Sequence, residues 1–237
     1  MAKLPVLMYH NVTPNEKEGA GLTISARLLE EHLRYIHDSG YTTLHLDQIN
    51  TINSLPAKTL LITFDDVAES QLEYAVPLLE KYGLRAVFFI PFKYVGGNDD
   101  WNDGSVKIMS LEQLKSINPD VVQFAWHSYR HGHYKAMSEA EVIEDLDNCQ
   151  RFIDESGLEV YPAIAYPFGS YPKKGEANAG FKEILQSRGL KMGFRIGNRV
   201  NRFPLKDKFE IQRIDIKGED TLFKFRLKLK FGKLRLF

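Results

Sequence analysis

Runs of branched and aromatic residues alternate with amphipathic stretches along almost the whole chain. The runs 4–9, 41–44, 60–64, 85–90, 121–126, 160–166, 191–194 and 210–216 are short and mostly uncharged, as strands buried on both faces are. Between them apolar residues recur at helical spacing. Leu28, Leu29, Leu33 and Ile36 share one face of a stretch that Ser25 can cap and Gly40 can stop. Further helices are expected over 69–82, over 111–117 behind Ser110, over 139–155 behind the Ser138/Glu141 capping box, and over 176–188. Asp47 is expected to cap a brief one. Seven or eight strand-then-helix units without a linker define an α/β chain with a parallel, helix-covered sheet. In 237 residues that sheet is a barrel or doubly wound, and both arrangements place ligands past the C-terminal ends of the strands.

The chemistry-bearing residues fall at those ends. The run Thr59 to Phe64 finishes in Asp65-Asp66, which delivers two carboxylates into one small space. Two like charges there repel, and a bound cation relieves one acid while leaving the other free as a base. The run 121–126 leads into His127-Ser128-Tyr129-Arg130-His131. Two imidazoles four residues apart meet one ion if the segment is helical or tightly turned. Asp66, His127 and His131 supply one oxygen and two nitrogens and leave a coordination position open, the ligand count of a catalytic zinc-type site. His10 and Pro167 sit just past two other strands. Trp101, in a loop rich in Gly, Asn and Asp, either packs or stacks on a sugar ring; Arg213 is expected to pair with an acid. His32, His37 and His45 read as surface residues.

The single cysteine, Cys149, excludes an internal disulfide and a cysteine-based zinc site, and fits a reducing compartment. Gly-rich phosphate loops and Asp-rich calcium loops are absent. The first ten residues read as a strand and not as a leader, and no run approaches the ~18 apolar residues of a membrane span. The expectation is a cytoplasmic protein, peripheral to the inner face of the membrane, with export and loss of a leader as the alternative. Net charge is zero but uneven: residues 221–237 carry four Lys and two Arg with no acid, and the other 220 carry 25 basic and 31 acidic side chains. The tail alternates apolar and basic residues from Leu222 to Phe231, which fits a strand with one wet face or a short helix. Its composition suits an anionic membrane surface or an acidic flank of the body. Nucleic acid is not expected, because no binding motif accompanies the charge.

Four segments in order resemble the polysaccharide deacetylases of the NodB-homology type. Thr63-Phe64-Asp65-Asp66 is similar to their first motif, and His127 through His131 to their second. Ala165-Tyr166-Pro167-Phe168-Gly169-Ser170-Tyr171 is similar to the third motif in its Tyr-Pro-aromatic-Gly form, and Val6-Leu7-Met8-Tyr9-His10 to the opening of the branch near poly-N-acetylglucosamine deacetylases. The resemblance runs from about residue 4 to about residue 216. It implies a distorted (β/α)7 barrel, with residues 1–220 as the catalytic domain and 221–237 as a tail of the same domain or a surface-attachment segment. It implies a metal-dependent hydrolase of carbon–nitrogen bonds other than peptide bonds, removing N-acetyl groups from amino sugars of a glycan or of a lipid-linked or nucleotide-linked precursor in surface polysaccharide assembly. Asp66, His127 and His131 would bind the metal, expected to be Zn²⁺. Asp65 would be the general base, and Pro167, Phe168, Gly169 and Tyr171 would line the substrate cleft. An O-acetyl esterase on the same site, or a catalytically silent carbohydrate-binding protein of this fold, are the alternatives. Three departures stand out, and one is that the third motif lacks the Arg that other branches use to hold the base. Val67 occupies the place of a usual Gly, and no Leu-x-His marks the general acid, so His10 is the first candidate for that role and His133 the second.

Overall fold

The computed structural model describes residues 2–232. Seven parallel strands close into a barrel: β1 (Val6–Tyr9), β2 (Thr59–Asp65), β3 (Ala86–Ile90), β4 (Val122–Trp126), β5 (Val160–Ala165), β6 (Met192–Ile196) and β7 (Ile211–Asp215). Neighbours in the barrel are neighbours in sequence from β2 through β7. The ring is closed by β1, which pairs with β2 (Val6 beside Leu61, Tyr9 beside Phe64) and with β7 (Leu7 beside Ile214). This is the (β/α)7 barrel that the resemblance implies, and the doubly wound alternative is set aside. The expected strand at 41–44 shrinks to Thr42–Thr43, an extra pair on the start of β2.

The strands read as unbroken apolar runs because both faces are covered. Leu60, Ile62 and Phe64 of β2 point outward under the helices, whereas Leu61 points into the barrel with Val87, Phe89, Ala125, Met192 and Phe194. The period of two then fixes Thr63 and Asp65 as inward-facing. The same parity turns Arg213, two residues beyond the inward Ile211, into the barrel.

Helices α1 (Ala26–Asp38), α2 (Leu46–Thr51), α3 (Val76–Lys81), α4 (Leu111–Ser116), α5 (Glu139–Ser156), α6 (Gly175–Ser187) and α7 (Leu222–Phe231) cover the outside. The Ser25 cap accepts from the Leu28 N–H, and the boxes at Ser110 and Ser138 form as expected. Helix α1 buries Leu29, Leu33 and Ile36, each contributing roughly 1.5–3 kcal/mol. Two boundaries differ from expectation. Helix α2 starts ahead of Asp47, with the His45 N–H donating to Gln48 Oε1 (2.9 Å). The expected helix over 69–82 opens as a π-turn, Gln71–Ala75, that runs into α3. The segment 222–231 is helix, not strand; residues 233–237 of the tail lie outside the described residues. Among the described residues no helix is long and apolar enough to cross a membrane.

Candidate active site

Strand β2 ends at Asp65, and the chain then turns sharply. Asp66 (φ 77°) and Val67 (φ 47°) both take left-handed backbone, a conformation that β-branched residues rarely adopt. The turn swings the Asp66 carboxylate toward the end of β4, where His127 follows the outward Trp126 and so faces in. The segment 127–131 is a tight turn and not a helix, with Ser128 (φ 66°) and His131 (φ 52°) also left-handed. The result is convergence: one ligand atom each from Asp66, His127 and His131 lies within 4.8 Å of the others.

These three atoms face one point. His127 Nδ1 lies 2.9 Å from the Ala165 carbonyl, so it carries the proton and donates, leaving Nε2 with its lone pair free. That Nε2 is 3.2 Å from His131 Nε2. Asp66 Oδ1 lies 3.3 Å from His131 Nε2 and 3.5 Å from His127 Nε2, and it is buried without a hydrogen-bond partner among the described residues. A buried carboxylate oxygen facing two imidazole nitrogens is the donor set of a divalent cation, and the residues fit one. Burial opposes the Asp66 charge, but the His131 and His127 rings beside it prevail and hold its carboxyl well below the usual range. Burial lowers His127 to about 4 against the pull of Asp65, so its ring is neutral at pH 7, as a ligand must be.

Asp65 is held apart from this cluster. Arg213, on β7 and 1% exposed, grips both of its oxygens: Nη1 donates to Oδ1 (2.5 Å) and Nη2 to Oδ2 (2.8 Å). The guanidinium also lies over the Phe89 ring, 5.3 Å away. Burial works against the Asp65 charge, yet Arg213, His127 and His10 outweigh it and hold the carboxyl below its ordinary range. Asp65 is therefore ionised at neutral pH. The acid that Arg213 was expected to pair with is this one.

The remaining candidates separate by exposure. His10 Nε2 stands 3.7 Å from Asp65 Oδ2 at the edge of the pocket. His133, exposed, stacks on Phe168 (centroids 4.2 Å apart, planes at 15°). Phe168 is half-exposed in a left-handed turn, and Pro167 and Gly169 are buried beside it. Pro167 has no N–H and the Gly169 N–H is spent on the Tyr166 carbonyl (2.9 Å), so the Phe168 N–H is the donor left in this turn. Tyr171 does not reach the cleft. It is wholly buried, stacked on Tyr166, with its hydroxyl donating to Glu210 (2.5 Å), because the chain turns inward after Ser170 to start the α6 layer. Trp101 lies against His131, with centroids 4.4 Å apart.

Two supporting residues lay outside the expected set. Asp145 on α5 accepts from the Tyr129 and Arg130 N–H groups (3.0 Å each) and from the Tyr134 hydroxyl (2.9 Å), and so pins the turn that carries both histidines. Gln71, in the π-turn, donates to the carbonyls of Asp65 (2.6 Å) and His10 (3.1 Å). Asp145 is one of seven acids in its helix and differs from the others only in sharing the buried face with Val142, Leu146 and Cys149. His32 corrects another expectation: it is buried, under the Phe225 ring (3.9 Å, planes at 6°) and against the Tyr9 hydroxyl. His45 is also mostly buried.

A barrel of this shape, with paired aspartates after β2 and a histidine turn after β4, defines the class, and the polysaccharide deacetylase profile matches residues 52–192. The chain belongs to the polysaccharide deacetylase family, of the NodB-homology type. It is 28% identical over 196 residues to the Bacillus subtilis (strain 168) protein YxkH, covering 81% of this chain and 64% of that one. It is 26% identical over 198 residues to the poly-beta-1,6-N-acetyl-D-glucosamine N-deacetylase of Staphylococcus aureus (strain MSSA476), covering 78% of this chain and 65% of that enzyme. The chain thus spans a little under two thirds of the length of these relatives. Among solved structures, the Streptococcus pyogenes deacetylase PplD in complex with acetate superposes with a TM-score of 0.80 at 23% identity, over 96% of this chain and 98% of that one, a likeness of fold.

Proposed function

We propose that this protein hydrolyses N-acetyl groups of amino sugars in a glycan or glycan precursor, releasing acetate and leaving the free amine. The observation that carries this reading is an ionised carboxylate, Asp65, fixed by Arg213 beside a separate three-donor cluster. A cation binder needs the cluster alone; a second acid outside the ligand set is what general-base chemistry needs.

Asp66, His127 and His131 would hold a divalent cation, which in such a site lowers the pKa of water and polarises an acyl oxygen. Asp65 takes the proton of the attacking water. Its Oδ2 is the oxygen that also faces His10 and His127, so the transferred proton is received on the side of the pocket where the substrate must sit. The Phe168 N–H is the backbone donor for the oxyanion. His10 stands beside Asp65 to protonate the departing amine nitrogen as the carbon–nitrogen bond breaks. The half-exposed Phe168 and the indole of Trp101 flank His131 from two sides and offer apolar faces to a sugar ring.

The name of the staphylococcal relative supplies the first substrate to try. With Zn²⁺ added, the protein should release acetate from poly-β-1,6-N-acetylglucosamine oligomers. Asp65→Asn should bind zinc at the same stoichiometry and lose about 10²–10⁴-fold in turnover. Unchanged turnover in Asp65→Asn, or no acetate from any N-acetylated amino-sugar glycan, would sink the reading. Acetate from O-acetylated glycans alone would replace the amide by an ester.

A further inference from the structure

Helix α7 is sided, although its sequence alternates. Phe225 and Leu229 are buried against His32 and α1. Phe223, Arg226, Leu227 and Lys230 follow one another at helical spacing on another face, with Phe231 at its end. Phe223 is 70% exposed and Phe231 52%, the two most exposed large hydrophobic side chains among the described residues. Open grooves run along both flanks. One, of about 670 Å³, has an apolar wall of Tyr35, Tyr41, Leu55 and Pro56. The other, of about 1050 Å³, takes its wall from the strand β6 end and the loop after it and is ringed by cations. No acidic residue lines either groove. Lys3, Arg199, Arg202, Lys224, Arg226 and Lys230 have no carboxylate within 4 Å among the described residues.

We propose that the outward face of α7, with the grooves beside it, docks on an anionic lipid bilayer. A helix face that is only solvated has no use for two bare phenylalanines about two turns apart, and a docking face for an apolar protein partner has no use for unpaired cations in this number. Both together match the headgroup boundary of a membrane, where aromatic rings enter the acyl edge and Lys and Arg meet lipid phosphates. Charge complementarity selects an anionic surface over a neutral one.

The placement has a consequence for the mouth of the barrel. The apolar groove is built by Ala2 and Lys3 ahead of β1 and by residues 55–58 ahead of β2, that is, at the N-terminal ends of the strands. Asp66 lies past the C-terminal end of β2, roughly 20 Å away along seven residues of strand. Docking through this apolar groove therefore sets the N-terminal ends of β1 and β2 toward the bilayer.

Sedimentation of the full chain with vesicles tests this independently of any hydrolysis. Vesicles of phosphatidylcholine mixed with phosphatidylglycerol should carry the protein down at low salt, vesicles of phosphatidylcholine alone should not, and high salt should release it. Phe223→Ser/Phe231→Ser and Arg226→Glu/Lys230→Glu should each weaken binding by about tenfold or more while melting temperature and circular dichroism stay unchanged. No binding to anionic vesicles, or binding by both double variants as tight as that of the wild type, would overturn the proposal. So would retention by an oligonucleotide without vesicle binding, or a dimer in solution that Phe223→Ser dissolves.

Discussion

At the scale of single residues, the site rests on side chains that tolerate unfavourable settings. Arg213 and Asp65 are a buried ion pair whose two good hydrogen bonds offset part of the lost hydration, while Arg213 Nε is without a partner among the described residues. Strand parity alone brings Asp65 and Arg213 into one interior, so this pair was half legible: an acid partner was expected for Arg213, and the fold supplies which. Val67 is the harder case. Its left-handed backbone costs about 1–3 kcal/mol in a β-branched residue, but its side chain is wholly buried, worth about 1.5–3 kcal/mol, and glycine would add about 0.5–1 kcal/mol of chain freedom to lose. The two terms against substitution outweigh the one in favour. Val67→Gly should be less stable by about 1 kcal/mol in urea unfolding; a more stable variant would mean that strain dominates the turn.

At the scale of elements, α5 and α7 each hold something that the local sequence does not announce. Asp145 acts on the histidine turn from a different element, so no motif marks it. Asp145→Ala leaves two backbone N–H groups and a hydroxyl without their acceptor and frees the turn. Zinc affinity, measured by chelator competition, should fall about 10–100-fold; unchanged affinity would show that the turn holds itself. Helix α7 seals His32, which 193 residues of separation hid from any local reading. Burial lowers this ring to about 4 from its ordinary 6.5. The unfolded chain therefore binds the proton first, and the stability present above pH 6.5 is lost as pH falls toward 4. The loss is about 3 kcal/mol, and below 4 it grows no further. Denaturation midpoints compared between wild type and His32→Gln across this window check it: the extra slope should vanish in the variant. The Ser25, Ser110 and Ser138 caps, in contrast, were readable because a cap is a contact over three residues.

At the scale of the whole molecule, the alternation of strands and helices gave a parallel sheet, and the ordered motifs selected the barrel. What escaped was pairing between distant segments: the small ribbon of Ala2–Leu4 with Asn201–Phe203, the pair Asn11–Thr13 with Thr23–Ser25, and the packing of α7 onto α1. Helix α7 packs on the barrel's helical layer through Phe225 and Leu229. A chain ended after Asp220 loses the burial of Phe225 and Leu229 and should be less stable by about 3–6 kcal/mol, with one unfolding transition in both forms. A separate, early transition in the longer chain would instead make α7 an independent unit.

The seam between β1 and β7 has a temporal meaning. During synthesis β1 finds β2 within some sixty residues, but its other edge stays bare until β7 leaves the ribosome. At about 5–20 residues per second that interval is on the order of ten seconds or more. Until then β1 keeps a bare row of backbone donors and acceptors, the kind of edge on which a second chain can pair.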